Sequence, residues 1–152
     1  MSAEQFTLDS NVLIYSVHPN AGVRHEMALT ILDAATELDC LLTLQAASEF
    51  FRVTTRKGLL APRDALATTE RLLATFPIVT ATADDLRAAM SLATMGKASF
   101  WDALLIATAA EAGCTAIITE DGHPGAILHG VRIVPPFAGE ALSPEVKELL
   151  GL

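Results

Sequence analysis

Two adjoining stretches decide the fold class. They are Ser99-Phe100-Trp101-Asp102-Ala103-Leu104-Leu105-Ile106 and, beyond Gly113, Thr115-Ala116-Ile117-Ile118-Thr119-Glu120-Asp121. The first begins at Ser99 and closes at Gly113, the start and stop signals of a helix. The second is a short apolar run that reads as a buried strand. The alternation continues in both directions. Strands are expected over residues 5–8, 40–43, 78–79, 115–119 and 131–134, and helices over 23–38, 45–57, 63–75, 82–95 and 99–113, with a helical turn over 11–16. In the first of these helices Met27, Ile31, Leu32, Ala35 and Leu38 recur at helical spacing. Pro62 opens a later one, and Thr82 with Asp85 has the spacing of a capping box. Strands alternating with helices imply crossover connections, hence an α/β fold with a parallel sheet covered on both faces.

The chain has 152 residues, 51% of them hydrophobic, which suits one compact domain over 1–152. Its core is expected over about 5–137, and residues 138–152 read as a peripheral tail. No apolar run is long enough to cross a bilayer, and the N-terminus lacks the pattern of a signal peptide. Cys40 and Cys114 are the only cysteines, too few and too far apart for a disulfide framework or a zinc site; a reducing cytoplasm fits. The net charge of −8 argues against a broad phosphate-binding surface and leaves room for a basic partner.

Four acids interrupt apolar sequence: Asp9, Glu49, Asp102 and Asp121. A lone buried carboxylate is costly, so such acids usually have a partner, a proton or a metal. In open α/β sheets ligands bind beyond the carboxyl ends of the strands. Asp9 follows the first strand and Asp121 the fourth, Asp102 falls in the first turn of a helix, and Glu49 lies early in the helix after the second strand. One cluster from four distant segments is geometrically reasonable, and an all-oxygen set suits Mg²⁺ or Mn²⁺. Each acid also has a plain structural reading. Asp102 could cap its helix with Ser99, Asp9 could cap the helical turn, Glu49 could pair with Arg52, and Glu120-Asp121-Gly122 could form a turn.

The pieces Asp9-Ser10-Asn11-Val12-Leu13-Ile14-Tyr15, Glu49-Phe50, Trp101-Asp102-Ala103-Leu104 with Ala107 and Gly113, Thr119-Glu120-Asp121, Gly130-Val131 and Pro136-Phe137 occur here in order. In that order the chain resembles PIN-domain ribonucleases, particularly the VapC-like toxins of bacterial toxin–antitoxin pairs. The resemblance implies a three-layer α/β/α sandwich with sheet order 3-2-1-4-5, RNA cleavage dependent on Mg²⁺ or Mn²⁺, a small cognate antitoxin and a homodimer. It puts the family's four acids on Asp9, Glu49, Asp102 and Asp121, and accessory polar positions on Asn11 and Thr119. The Gly122-His123-Pro124-Gly125 loop departs from the family, and Glu120 competes with Asp121 for the last acid position.

Arg52 and Arg56 share a helical face with Glu49 and are candidates to meet substrate phosphates. Trp101 is expected in the core ahead of a base-stacking role, and Ile31 with Phe50-Phe51 is shared between core and dimer interface. A receiver-type signalling domain is a rival, but it wants paired acids after the first strand and a lysine after the last; here Ser10-Asn11 follows Asp9 and the late lysine is Lys147. A non-catalytic PIN-like RNA-binding protein is the other alternative, and the presence of all four acids does not favour it.

Overall fold

The computed structural model describes residues 4–152. Strand β1 (Phe6–Leu8) lies between β2 (Cys40–Thr43) and β4 (Ala116–Ile118), both parallel to it. The register sets Phe6 against Cys40 on one side and Ala116 on the other. All three strands are buried throughout, as near-continuous apolar strands covered on both faces must be. Thr7 is the polar residue of β1, and its hydroxyl donates to the Leu41 carbonyl at 2.7 Å, so it enters the interior satisfied.

Outside β2 lies the short β3 (Ile78–Val79), parallel to it. Beyond β4 lie β5 (Ile127–Leu128) and β6 (Val131–Val134), in the order β3-β2-β1-β4-β6-β5. The five parallel strands thus follow the expected 3-2-1-4-5 order, with β6 as the fifth. Strand β5 is an addition: it runs antiparallel to β6 and closes that edge, pairing Ile127 with Arg132. His129-Gly130, both at positive φ, make the reversal between them.

The helices are α1 (Ser10–Tyr15), α2 (Val23–Thr36), α3 (Leu44–Arg56), α4 (Pro62–Thr75), α5 (Ala83–Thr94), α6 (Phe100–Glu111) and α7 (Pro144–Leu150). A 3₁₀ turn over Pro19–Ala21 stands where the sequence breaks. Local chemistry sets the starts. Thr43 accepts from the Ala46 N–H to begin α3 directly off β2, and Ser143 does the same for α7 with Val146. Thr82 and Asp85 form a complete capping box on α5.

Phe6, Leu8, Val12, Leu13, Ile31, Leu42, Phe50, Ile117, Ile118 and Val134 form the centre of the core. Residues 138–152, expected to be peripheral, contribute to it. After β7 (Phe137–Ala138) and β8 (Ala141–Leu142) pair as a hairpin, α7 brings Val146 and Leu150 into the same cluster. The two apolar residues sit four apart on a short amphipathic helix, a spacing that Pro135-Pro136 upstream obscured. Ile31 and Phe50 are core residues, whereas Phe51 is exposed. Trp101, expected in the core, is 63% exposed and meets Phe100 edge-to-face at 4.9 Å between ring centroids. It sits at the solvent side of the α6 start, and Ala103, Leu105 and Ile106 take the buried positions instead.

Candidate functional site

The carboxyl ends of β1 and β4 are neighbours, and the chain leaves each of them through a polar residue. Asp9 follows β1, where its backbone N–H bonds the Ile118 carbonyl at 3.0 Å and its Oδ1 accepts from the Ser10 N–H at 2.7 Å, so it also caps α1. Thr119 follows β4, held by its N–H on the Val134 carbonyl at 3.1 Å. The Thr119 hydroxyl donates to Asp9 Oδ2 at 2.7 Å and accepts from the Asp121 N–H at 3.0 Å. One hydroxyl therefore fixes the buried acid and the turn that presents the exposed one. Asn11 Nδ2 approaches the same hydroxyl at 3.4 Å, and Asn11 Oδ1 is buried without a hydrogen-bond partner.

Asp9, Asp102 and Asp121 each offer a carboxylate oxygen, and these oxygens all lie within 4.8 Å of one another. Asp9 is buried, Asp102 half-buried and Asp121 exposed. The Ser99–Asp102 capping spacing is used only halfway: the Asp102 N–H reaches Ser99 Oγ at 3.4 Å, while its carboxylate belongs to the cluster. Burial raises the Asp9 carboxyl to about 6; the Thr119 and Ser10 hydrogen bonds oppose that shift, and the Asp121 and Asp102 charges add to it. Asp102 is likewise raised, first by burial, with Ser99 opposing and the Asp121 and Glu49 charges adding. Like charges confined together favour a proton or a cation.

Glu49 stands beside this trio rather than in it. Its Oε2 accepts from Ser10 Oγ at 2.7 Å and its Oε1 from Gln45 Nε2 at 3.1 Å. Gln45 also donates to the Trp101 carbonyl at 3.0 Å, which ties the start of α3 to the start of α6. The Glu49–Arg52 ion pair that the spacing allows is not formed among the described residues, and Arg52 and Arg56 are exposed on α3. Glu120 turns away from the trio to pair with Arg24 at 3.3 Å, so Asp121 rather than Glu120 joins it.

A cleft of about 210 Å³ opens on the trio, its apolar wall formed by Leu105, Ile106, Ile117 and Ile133 and its rim including Lys97 and His123. Gly122 has φ +79°, a backbone conformation that favours glycine, and a Cβ there would lie 2.7 Å from Ile133 Cδ1, so a larger residue would also have to displace that methyl. Sequence reasoning missed Ser10, Gln45 and Lys97. Ser10 and Gln45 carried a faint signal, adjacency to Asp9 and a position four before Glu49; Lys97, in a loop before α6, carried none.

The chain belongs to the PIN-domain family, whose model matches residues 6–125. Among solved structures it is similar to VapC20 of Mycobacterium tuberculosis, a sarcin–ricin loop cleaving toxin, at 20% identity over 84% of this chain and 99% of that one, with a TM-score of 0.63. It is similar to a toxin–antitoxin complex from Klebsiella pneumoniae at 21% identity, covering 88% and 98%, with a TM-score of 0.64. It is also similar to DNA-bound VapBC of Salmonella typhimurium at 18% identity, covering 87% and 98%, with a TM-score of 0.62. At these identities the likeness is one of fold. A comparison with curated proteins by sequence finds no match. Among the described residues, no helix is long and apolar enough to cross a membrane.

Proposed function

We propose that the chain is a metal-dependent endoribonuclease, the toxin of a toxin–antitoxin pair, in which Asp9, Asp102 and Asp121 hold Mg²⁺ or Mn²⁺. The observation that carries this is the convergence of three carboxylates from three separate segments to within 4.8 Å. The donor set fits such an ion. It is all oxygen, the choice of hard divalent cations. Burial raises Asp9 to about 6, with the Asp121 and Asp102 charges adding to it, and the buried Asn11 Oδ1 beside it lacks a partner. When bound, the cation would offset charge on an RNA phosphate and lower the pKa of a water.

The chain's own residues divide the remaining work. Thr119 and the Ser10 N–H keep Asp9 in one orientation. Glu49, anchored by Ser10 and Gln45, is assigned to orient the attacking water. Lys97 at the rim of the cleft is placed to receive a phosphate, with Arg52 and Arg56 as outlying contacts along α3. Asn11 sets the Thr119 hydroxyl. The four acids Asp9, Glu49, Asp102 and Asp121 thus act together, with Glu49 in the outer position.

The antitoxin in this reading places a basic side chain in the acid cleft and an apolar segment along the surface. Exposed Leu44 and Phe51 on α3, Leu86 and Met90 on α5 and Trp101 on α6 supply apolar area for a homodimer. The relatives solved as toxin–antitoxin complexes support a protein partner. We read 1–152 as one domain in the cytoplasm, in keeping with two free, buried cysteines.

The test is cleavage of total cellular RNA by purified protein with Mg²⁺ or Mn²⁺, with chelator and Asp9→Asn controls. Cleavage should require both the ion and Asp9. Activity that survives both controls sinks the metal mechanism.

A further inference from the structure

We infer that Arg24 is a positioning residue for this site, tying the loop that carries Asp121 to the helical layer through the neighbouring Glu120. The inference rests on the metal reading above. Asp121 is the exposed member of the trio, on a stretch from Glu120 to Gly125 that is exposed throughout. The loop must bring this carboxylate toward two others of the same sign, and mutual repulsion pushes it outward. Thr119 anchors its beginning, and the Gly125 N–H on the Ile133 carbonyl at 2.9 Å anchors its end.

Glu120 supplies a side-chain anchor next to Asp121 itself. Its Oε2 lies 3.3 Å from Arg24 Nη1, and its side chain is 28% exposed. An isolated pair of this kind on a surface fixes little. Arg24, however, is itself held. Its Nη1 donates to Tyr15 Oη at 3.1 Å, and its Cζ lies 5.8 Å from the Tyr15 ring centroid and 5.5 Å from that of Phe137. The two rings meet edge-to-face at 5.6 Å. The end of α1, the start of α2 and β7 thereby converge on one guanidinium, a planar cation that stacks on rings while still bonding a carboxylate. Pro124, from the same loop, lines a second cleft, separate from the acid one, together with Arg24, Glu120 and Phe137. The loop bearing Asp121 is thus tied to the far end of α1, whose N-cap is Asp9, and to α2 and β7, which carry none of the four acids.

The test is Mn²⁺ binding to the full chain by calorimetry for wild type, Arg24→Met, Glu120→Gln and the double variant, with metal-free melting temperatures as a folding control. A tie is broken once. Both single variants should therefore weaken Mn²⁺ binding roughly tenfold, the lower end of losses seen for groups that orient metal ligands, and the double variant should lose no more than either. Arg24→Lys keeps the charge without the planar stack and should fall between wild type and Arg24→Met. A role through charge alone gives opposite signs, because losing Arg24 would tighten cation binding and losing Glu120 would weaken it. Opposite signs, additive losses or unchanged binding in Arg24→Met overturn the inference while the metal reading stands. A wild-type protein that takes up no Mn²⁺ overturns both.

Discussion

Two helices of this protein begin with the same local pattern and use it differently. Thr82-Ala83-Asp84-Asp85 opens α5 and Ser99-Phe100-Trp101-Asp102 opens α6, each a hydroxyl residue followed three positions later by aspartate. In α5 both halves of the capping box close, the Asp85 carboxylate accepting from the Thr82 N–H at 2.8 Å. In α6 only the hydroxyl half is made, and the Asp102 carboxylate stands with Asp9 and Asp121 instead. Asp9 does both, capping α1 through the Ser10 N–H while facing the cluster. A capping pattern therefore says where a helix starts and not where its acid goes. The deciding factor is what lies across from the helix end: for α6, the carboxyl edge of the sheet.

The largest effect should come from the acid that leaves its helix. Asp102→Asn should lower RNA cleavage on the order of a thousandfold or more, since groups that merely orient metal ligands already cost ~10–100-fold. The metal-free melting temperature should hold or rise, because the substitution removes a raised, half-buried carboxylate and keeps the backbone capping bond. A stability loss as large as that of an Asp85 substitution would erase the contrast between the two helix starts.

Next in size is the pH dependence carried by Asp9. Its folded carboxyl, raised from 3.8 to about 6, holds a proton more tightly than the unfolded chain does. Metal-free stability contributed by this group is therefore fully present below 3.8 and falls as pH rises through about 6. The loss is about 3 kcal/mol for a shift of about two units. Denaturant titrations at pH 4 and pH 7 read it directly, and Asp9→Asn should flatten the slope. On the metal reading proposed above, Mn²⁺ requires the ionised form, so its stabilising effect should grow from pH 5 to pH 7. A melting temperature raised equally by Mn²⁺ at both pH values would show that Asp9 is not what the ion displaces a proton from.

Asp85→Ala is the converse case. It should cost about 1 kcal/mol of stability through the lost cap, measured as a shift in the urea midpoint, and leave RNA cleavage at 25 °C unchanged. Reduced cleavage with intact folding would mean that α5 and α6 transmit the cap to the site.

The same physics explains how much of the molecule could be read from sequence. Parallel strands β1, β2, β4 and β6 are apolar because both faces are covered, so they and the alternating helices were legible one by one. Strand β5 was not, since Ile127-Leu128 is only two residues long and owes its pairing to the reversal at His129-Gly130. Helix α7 was hidden for a similar reason: its two buried residues acquire meaning only once the β7–β8 hairpin delivers them to the core. At the site, Asp9, Asp102 and Asp121 were legible as acids in apolar sequence. That Glu49 stands outside the trio depends on Ser10 and Gln45 reaching it across space, at separations of 39 and 4 residues along the chain. No local pattern specifies which of Glu120 and Asp121 faces inward. Arg24, far away in sequence, accompanies that choice through its ion pair with Glu120.

The smallest effect concerns Trp101, the residue beside Asp102 that apolar neighbours suggested would be buried. The residue is 63% exposed, and its aromatic contact is the edge-to-face one with Phe100. The carbonyl that Gln45 uses is backbone and survives substitution. Trp101→Ala should therefore shift the stability of a dilute, monomeric sample by no more than about 0.5 kcal/mol, the range of surface substitutions. On the homodimer reading proposed above, the same change should lower the association constant at high concentration, because an exposed tryptophan is costly to keep in water and a strong anchor when covered. Sedimentation across a dilution series separates the two. A large loss in the dilute sample would place the ring against the protein's own core. Unchanged association at high concentration would remove Trp101 from the homodimer surface and leave it free to face RNA beside Asp102.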